Sequence, residues 1–233
     1  MPPFSQESTV VCADCASLWE EALAEGRALA AELREPVFLL PYHSGRTDGM
    51  PERLLYRVKH EGDPRLFRFL ARELAPAVRR ALGSDRLTDT LRGDIPLFSY
   101  PPRRKSAVRE DGFDQAERLA RALSAACDGE CRSLLRRTRR GRAEQKTLDA
   151  AERRTNAALA YALRPSAVPL LRGRTVVLCD DLYTTGSTLR ACADLLEAAG
   201  AKRVILVTVA KTAGKATPHT PEGENHGEKT ELP

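Results

Sequence analysis

Thr175-Val-Val-Leu-Cys-Asp180-Asp181-Leu-Tyr183-Thr184-Thr185-Gly186-Ser187-Thr188 is the stretch on which the rest of the chain is organised. Thr175 to Cys179 is a short β-branched and apolar run, the length of a buried strand. Asp180 and Asp181 are expected where that run stops, followed by a loop of small hydroxylated residues around one glycine. From Leu189 the apolar spacing becomes helical, with Leu189, Cys192, Ala193, Leu196 and Ala199 on one face and Gly200 placed for a left-handed cap. Arg203 to Val209 reads as a second buried strand. Strand, loop, helix, strand is a βαβ unit, and it predicts an α/β fold with an open, mostly parallel twisted sheet flanked by helices.

In such sheets ligands sit beyond the carboxyl ends of the strands. The loop Thr184–Thr188 lies there and leads into a helix N-terminus, whose unpaired N–H groups attract a phosphate. The hydroxyls of Thr184, Thr185, Ser187 and Thr188 add donors, and Gly186 lets the backbone approach closely. Asp180 and Asp181 would repel the phosphate itself. They suit the vicinal hydroxyls of a sugar, or Mg²⁺ held through water. The ligand predicted from these residues carries a phosphate at one end and a diol in its middle.

At this motif the sequence resembles the type I phosphoribosyltransferases. The resemblance implies that Asp180 and Asp181 serve the ribose hydroxyls of phosphoribosyl pyrophosphate, with Mg²⁺ nearby, and that Tyr183 to Thr188 hold its 5-phosphate. Some purine-salvage members have an acidic residue at the position of Thr184, so a base toward the acceptor is not expected from this loop.

The chain has 233 residues, a hydrophobic fraction of 42% and only 5% aromatics, which predicts one sizeable domain with a core of Leu, Val and Ala. A net charge of +5 suits anionic ligands and does not by itself point to nucleic acid. No apolar run of membrane length and no signal peptide are read, so a cytoplasmic location and reduced thiols for the six cysteines are expected. Cys12-Ala-Asp-Cys15 is half of a tetrahedral zinc site, or two exposed thiols. The separate Cys127/Cys131 pair and the isolated His43 and His60 are the other ligand types on offer.

Residues 1–50 are expected as a small appendage: a helix over Ser17–Leu33, a strand over Pro36–Tyr42 and a loop over His43–Gly49. The main domain then spans 51–212. Leu54, Leu55 and Val58 open a helical face. Asp63-Pro64 is an N-cap and first-turn signal for a second helix carrying Leu66, Leu70, Leu74, Val78 and Leu82. Lys59 stands within reach of a ligand phosphate, or is a solvated lysine. Ile95–Tyr100 reads as a strand. The cationic turn after it, with Arg103, Arg104, Lys105 and then Arg109, suits a pyrophosphate leaving group.

Gly112-Phe-Asp-Gln115 starts a further helix. The arginines at 132, 136, 137, 139, 140 and 142 read as a lid or a nucleic-acid footprint. Residues 213–233 read as a disordered tail.

Several blocks recur together in the ComF family of phosphoribosyltransferase-like, competence-associated proteins. They are Leu55-Tyr-Arg-Val-Lys59 with Gly62-Asp63, Tyr100-Pro-Pro-Arg103 with Gly112-Phe-Asp-Gln115, Leu135-Arg-Arg137, Gln145-Lys-Thr-Leu148, Arg153 with Asn156, and Asp180 to Thr188. This resemblance implies phosphoribosyl pyrophosphate as ligand and, in competence, single-stranded DNA or a helicase as partner. Many members carry four N-terminal cysteines where one pair is seen here. Many also have arginine where this chain has Asp111.

Overall fold

A computed structural model of the chain describes residues 11–33, 36–47, 49–83, 95–138 and 159–215. Its framework is a five-stranded parallel sheet. The strands are β1 (Val37–Ser44), β2 (Leu97–Ser99), β3 (Glu130–Cys131), β6 (Thr175–Tyr183) and β7 (Arg203–Lys215), ordered β1-β7-β6-β2-β3. Helices α1 (Ala13–Ala31), α2 (Met50–His60), α3 (Pro64–Leu82) and α5 (Gln115–Ala126) pack against this sheet, as does α7 (Ser187–Ala198). The short α4 (Lys105–Asp111) and α6 (Val168–Leu171) lie between them in sequence. Strands β4 (Leu135–Arg137) and β5 (Tyr161–Leu163) form a separate antiparallel pair.

The central strand β6 is buried on both faces, which is why it reads as one apolar run rather than an alternation. Side chains on a strand point alternately to opposite faces. Val177 and Cys179 therefore join the core under α1, α3 and α5, with Phe98, Val207 and Val209. Val176 and Leu178 join the opposite core with Leu97, Leu206 and the α7 residues Leu189, Cys192 and Leu196. On the expected face of α3, Leu66, Leu70, Leu74 and Val78 are fully buried and Leu82 at its end is half-buried, and Asp63 caps the helix by accepting from the Arg65 amide at 2.9 Å.

Several boundaries differ from the sequence reading. β6 does not stop at Cys179: it stays paired through Tyr183, with Asp180 opposite Thr208 and Tyr183 opposite Lys211. The apolar pattern ends at Cys179, but backbone pairing needs only a neighbour, and β7 supplies one by running on to Lys215. β2 is shorter than Ile95–Tyr100 because Pro96 has no N–H to give the ladder, and the Ile95 carbonyl is taken by Arg174 at 3.1 Å. The turn after β2 is not a loop throughout, since Lys105–Asp111 is helical. His43 and Ser44 belong to β1 rather than to the loop expected over His43–Gly49.

The boundary expected at residue 50 falls inside a continuous fold. β1 is the edge strand beside β7, and Trp19, Ala22 and Leu23 of α1 are buried in the same core as α3, with the Trp19 and Phe69 rings 5.1 Å apart. The sequence carries no signal for this, because an edge strand and a short appended strand have the same pattern.

α1 packs over β1, whereas Cys131 lies in β3 at the opposite edge of the sheet, four strand spacings or roughly 19 Å from β1. Among the described residues no three His, Cys, Asp or Glu gather in a metal-binding group. The expected tail from 213 enters β7 through Lys215, and residues 216–233 lie outside the described residues. So do Gln145–Leu148, Arg153–Asn156 and the arginines at 139, 140 and 142. Among the described residues no helix is long and apolar enough to cross a membrane.

Candidate functional site

The site is built where β6, β2 and β1 end, because parallel strands deliver all their carboxyl ends to one edge. Asp180 and Asp181 sit in the last turns of pleat of β6. The Asp180 carboxylate accepts from the Asp181 amide at 2.9 Å, and the Asp181 carboxylate accepts from the Leu182 amide at 2.9 Å. The second Asp181 oxygen faces two partners from other elements. Lys59 Nζ of α2 lies at 3.8 Å and the Gln115 amide Nε2 of α5 donates at 3.4 Å. Burial and then the neighbouring charge of Asp181 hold the Asp180 carboxyl well above the usual carboxylate range. A sugar hydroxyl or a divalent cation at this edge would favour its ionised form.

The loop that follows is held from beneath. Gly186 has φ of +72° and serves as N-cap of α7, whose ladder begins with Arg190 N–H donating to the Gly186 carbonyl at 2.8 Å. A Cβ built on Gly186 would stand 2.1 Å from the Tyr183 hydroxyl, so no side chain fits there. Tyr183 itself is buried under the loop, its hydroxyl accepting from Arg190 Nε at 3.0 Å. The Lys211 ammonium sits 5.7 Å from the Tyr183 ring centre. Of the sequence-predicted residues, Tyr183 is therefore the floor of the loop, while Thr184 and Thr185 are exposed above it. Thr185 and Ser187 share a hydroxyl–hydroxyl bond of 2.8 Å. Ser187 and Thr188 open the helix and are half-buried.

The cationic group after β2 divides. Arg103 is already engaged: its guanidinium pairs with Asp111 at 2.8 Å, and its amide donates to Asp114 at 3.0 Å. Asp111 also faces His60 Nδ1 at 3.4 Å, tying α4 to the end of α2. The Arg103 guanidinium holds the Asp111 carboxyl below its ordinary range. Arg104 and Lys105 have no carboxylate partner among the described residues, and Arg109 Nε donates to the Lys105 carbonyl at 3.3 Å. Arg103, Lys105 and Arg109 line a cleft of about 720 Å³ together with Arg136, Arg137 and Arg164 and the carboxyls of Asp114 and Glu117. Arg137 is fixed there by Tyr161, whose ring it overlies at 5.1 Å and whose hydroxyl it reaches at 3.2 Å.

Two residues of this edge were not among the candidates from sequence. Asp114 caps α5, accepting from the amides of Ala116 and Glu117 as well as Arg103, and burial raises its carboxyl above the ordinary range against those bonds. Gln115 is buried and is the polar contact of Asp181 across the sheet face. Both stand in the Gly112-Phe-Asp-Gln115 block, and Asp before a helical run signals a cap. Nothing local to Gln115 signals its partner 66 positions away.

For Mg²⁺ the protein offers the two adjacent carboxylates and no third metal-binding group among the described residues. That donor set fits an ion which keeps most of its shell as water and ligand oxygen.

A parallel sheet of this order, an acid pair at the end of its central strand and a hydroxyl loop opening a helix define a phosphoribosyltransferase-like α/β domain. The family model described as the phosphoribosyl transferase domain matches residues 107–225, over half of the 233-residue chain. The chain belongs to that family.

Solved structures similar to it include the allosteric regulatory enzyme of purine biosynthesis, at 14% identity and a TM-score of 0.40 over 66% of this chain and 30% of that one. Glutamine phosphoribosylpyrophosphate amidotransferase from B. subtilis, complexed with ADP and GMP, aligns at 15% identity and a TM-score of 0.39, over 66% and 30%. A hypoxanthine phosphoribosyltransferase from Staphylococcus aureus aligns at 16% identity and a TM-score of 0.35, over 64% and 66%. The chain thus spans about a third of the length of the first two. No curated protein sequence matches it.

Proposed function

We propose that this protein binds phosphoribosyl pyrophosphate with Mg²⁺ and transfers its phosphoribosyl group to a nitrogen acceptor. The observation that carries the reading is the direct succession, at the end of the central strand, of the acid pair and a hydroxyl loop seated on a positive-φ glycine. In this reading the 5-phosphate takes the exposed hydroxyls and amides of Thr184 to Thr188. The ribose hydroxyls donate to Asp180 and Asp181, with Gln115 and Lys59 holding Asp181 in place. The pyrophosphate faces the cleft of Arg103, Lys105 and Arg109, with Arg104 beside it.

The C1–oxygen bond breaks and its electron pair leaves with pyrophosphate. The acceptor nitrogen gives its lone pair to C1 and then loses a proton. The cations act by stabilising charge that grows on the leaving group, and the acids act by fixing the sugar. Mg²⁺, held by Asp180 and Asp181 through water, would supply charge neutralisation on the pyrophosphate.

Kinship to the ComF subgroup within the family is part of this proposal, supported by the ordered blocks from Leu55 to Thr188. A second reading is a non-catalytic sensor of the same ligand, or an accessory to DNA uptake. It is favoured by Thr184, which leaves the loop without a carboxylate base.

Calorimetry with phosphoribosyl pyrophosphate and Mg²⁺ tests the binding. Asp181→Asn is expected to abolish it while the melting temperature holds, and undiminished binding by that variant rules the assignment out. Pyrophosphate release against a panel of nitrogen acceptors separates the transferase from the sensor. Oligonucleotide binding at two salt concentrations tests the accessory role.

A further inference from the structure

The buried stretch of β7, Val204-Ile-Leu-Val-Thr208-Val-Ala210, is apolar but for one hydroxyl. Thr208 is 0% exposed, and its Oγ1 is buried with no hydrogen-bond partner among the described residues. Ser99 is equally buried, but its hydroxyl accepts from the Leu134 amide at 3.3 Å. An unpaired buried hydroxyl costs free energy, and valine would fill the same place on a strand without that cost. A hydroxyl kept there against its own desolvation calls for a partner.

The strand register supplies one. Thr208 stands directly opposite Asp180 on β6, and paired strands lie about 4.8 Å apart. The two side chains share a face. Val204 and Leu206 of β7, like Val176 and Leu178 of β6, belong to the core beneath α7, and alternation carries Thr208 and Asp180 to that same side. Tyr161 and Cys192, both of that core, are within reach of the Asp180 charge. On the other side of Thr208 stands Phe38 of β1, whose side chain has no polar atom.

The acid pair is served unequally. Asp181 has Lys59 at 3.8 Å and the Gln115 amide at 3.4 Å. Asp180 accepts from the Asp181 amide at 2.9 Å and has no ion pair among the described residues, and the charges that act on it are those of Asp181 and Asp114. A carboxylate that takes a cation or a sugar hydroxyl works best with its oxygens fixed by a donor from behind.

We propose that Thr208 is a positioning residue for Asp180: its buried hydroxyl donates to the Asp180 carboxylate when that carboxylate takes a divalent cation or a sugar hydroxyl, and so holds it for the ligand. Rotation about the Cα–Cβ bond of Thr208, between staggered positions, makes the contact without moving the strand. Thr208 itself touches neither sugar nor cation. The sugar half of this role rests on the proposed function above, and the pairing with Asp180 does not.

Thr208→Val keeps the shape and removes the donor, while Thr208→Ser keeps the donor. Two probes are titrated into the full chain: Mn²⁺ alone, read by water-proton relaxation, and phosphoribosyl pyrophosphate with Mg²⁺, read by calorimetry. Inorganic phosphate, followed by phosphorus NMR, reports on the hydroxyl loop alone. Thr208→Val is expected to weaken both probes by about tenfold, the worth of one hydrogen bond to a charged group. Phosphate binding should be unchanged and the melting temperature no lower than the parent's. Thr208→Ser should recover most of both affinities.

Equal affinity of Thr208→Val and the parent for the probes overturns the proposal. So does a loss that Thr208→Ser does not recover, a loss shared by inorganic phosphate, or a valine variant that melts below the parent. With phosphoribosyl pyrophosphate still bound by the parent, each of those results leaves the proposed function standing. A parent that binds Mn²⁺ but not phosphoribosyl pyrophosphate, with Mn²⁺ weakened in Thr208→Val, defeats the proposed function and leaves the role of Thr208 standing. A parent that binds neither probe defeats both.

Discussion

Replacing Gly186 by alanine sets two costs against the loop, and the structure gives both. The backbone there has φ of +72°, a conformation that costs an L-residue roughly 1–2 kcal/mol. The new Cβ would stand 2.1 Å from the Tyr183 hydroxyl oxygen and 2.2 Å from Cζ. The ring has no room to retreat, because Tyr183 is buried and its hydroxyl is fixed by Arg190. Forcing a buried side chain off its place costs about 1–3 kcal/mol.

The sum is about 2–5 kcal/mol, which in a chain of this size lowers the melting temperature by roughly 4–20 °C at about 2–4 °C per kcal/mol. Calorimetric scanning measures that fall, and titration with phosphoribosyl pyrophosphate should show binding lost, since the displaced ring lifts the loop. Tyr183→Ala separates the two costs in a double-mutant cycle. The clash term of about 1–3 kcal/mol should appear as coupling between the two positions, and the φ term should persist in the double variant. A Gly186→Ala protein that melts within about 2 °C of the parent and still binds ligand would refute the reasoning.

Asp180→Asn should raise the melting temperature of the ligand-free protein at neutral pH while abolishing phosphoribosyl pyrophosphate binding, because Asp180 is held at the site against its own burial. The sign follows from linkage: a carboxyl whose folded pKa is raised binds more protons folded than unfolded. The parent's stability from this group therefore falls as pH rises from the unfolded value through the folded one, and Asn removes that fall. A flat difference between the two melting curves across that pH range would contradict the assignment. In the same window ligand affinity of the parent should strengthen as pH rises, read by calorimetry. Asp111→Asn should loosen Arg103 and leave it to an anionic ligand, strengthening pyrophosphate binding several-fold, about 1 kcal/mol. Weaker binding would show instead that Asp111 positions the guanidinium.

The motif on β6 was legible in the sequence because it is local. Strand, acids, loop and helix occupy consecutive positions, and each residue type is demanded by its own conformation or its own chemistry. The faces of α3 and α7 were legible for the same reason, since burial repeats with the helical period. What touches Asp181 was not legible. Lys59 and Gln115 arrive from two other elements, and Gln115 carries no local mark of the contact.

The sequence also gave Arg103 as a cation for a ligand, and did not show that Asp111 and Asp114 already hold it. Nor did it show that β1 is the edge strand of the main sheet with α1 packed over it, because an edge strand differs from an appended one only in its neighbour. Local chemistry by itself pointed to a sugar bearing an anionic group as the ligand expected at the end of β6. Only tertiary packing decided which side chains flank the acid pair, Lys59 and Gln115 at Asp181, because those contacts join segments far apart in the chain.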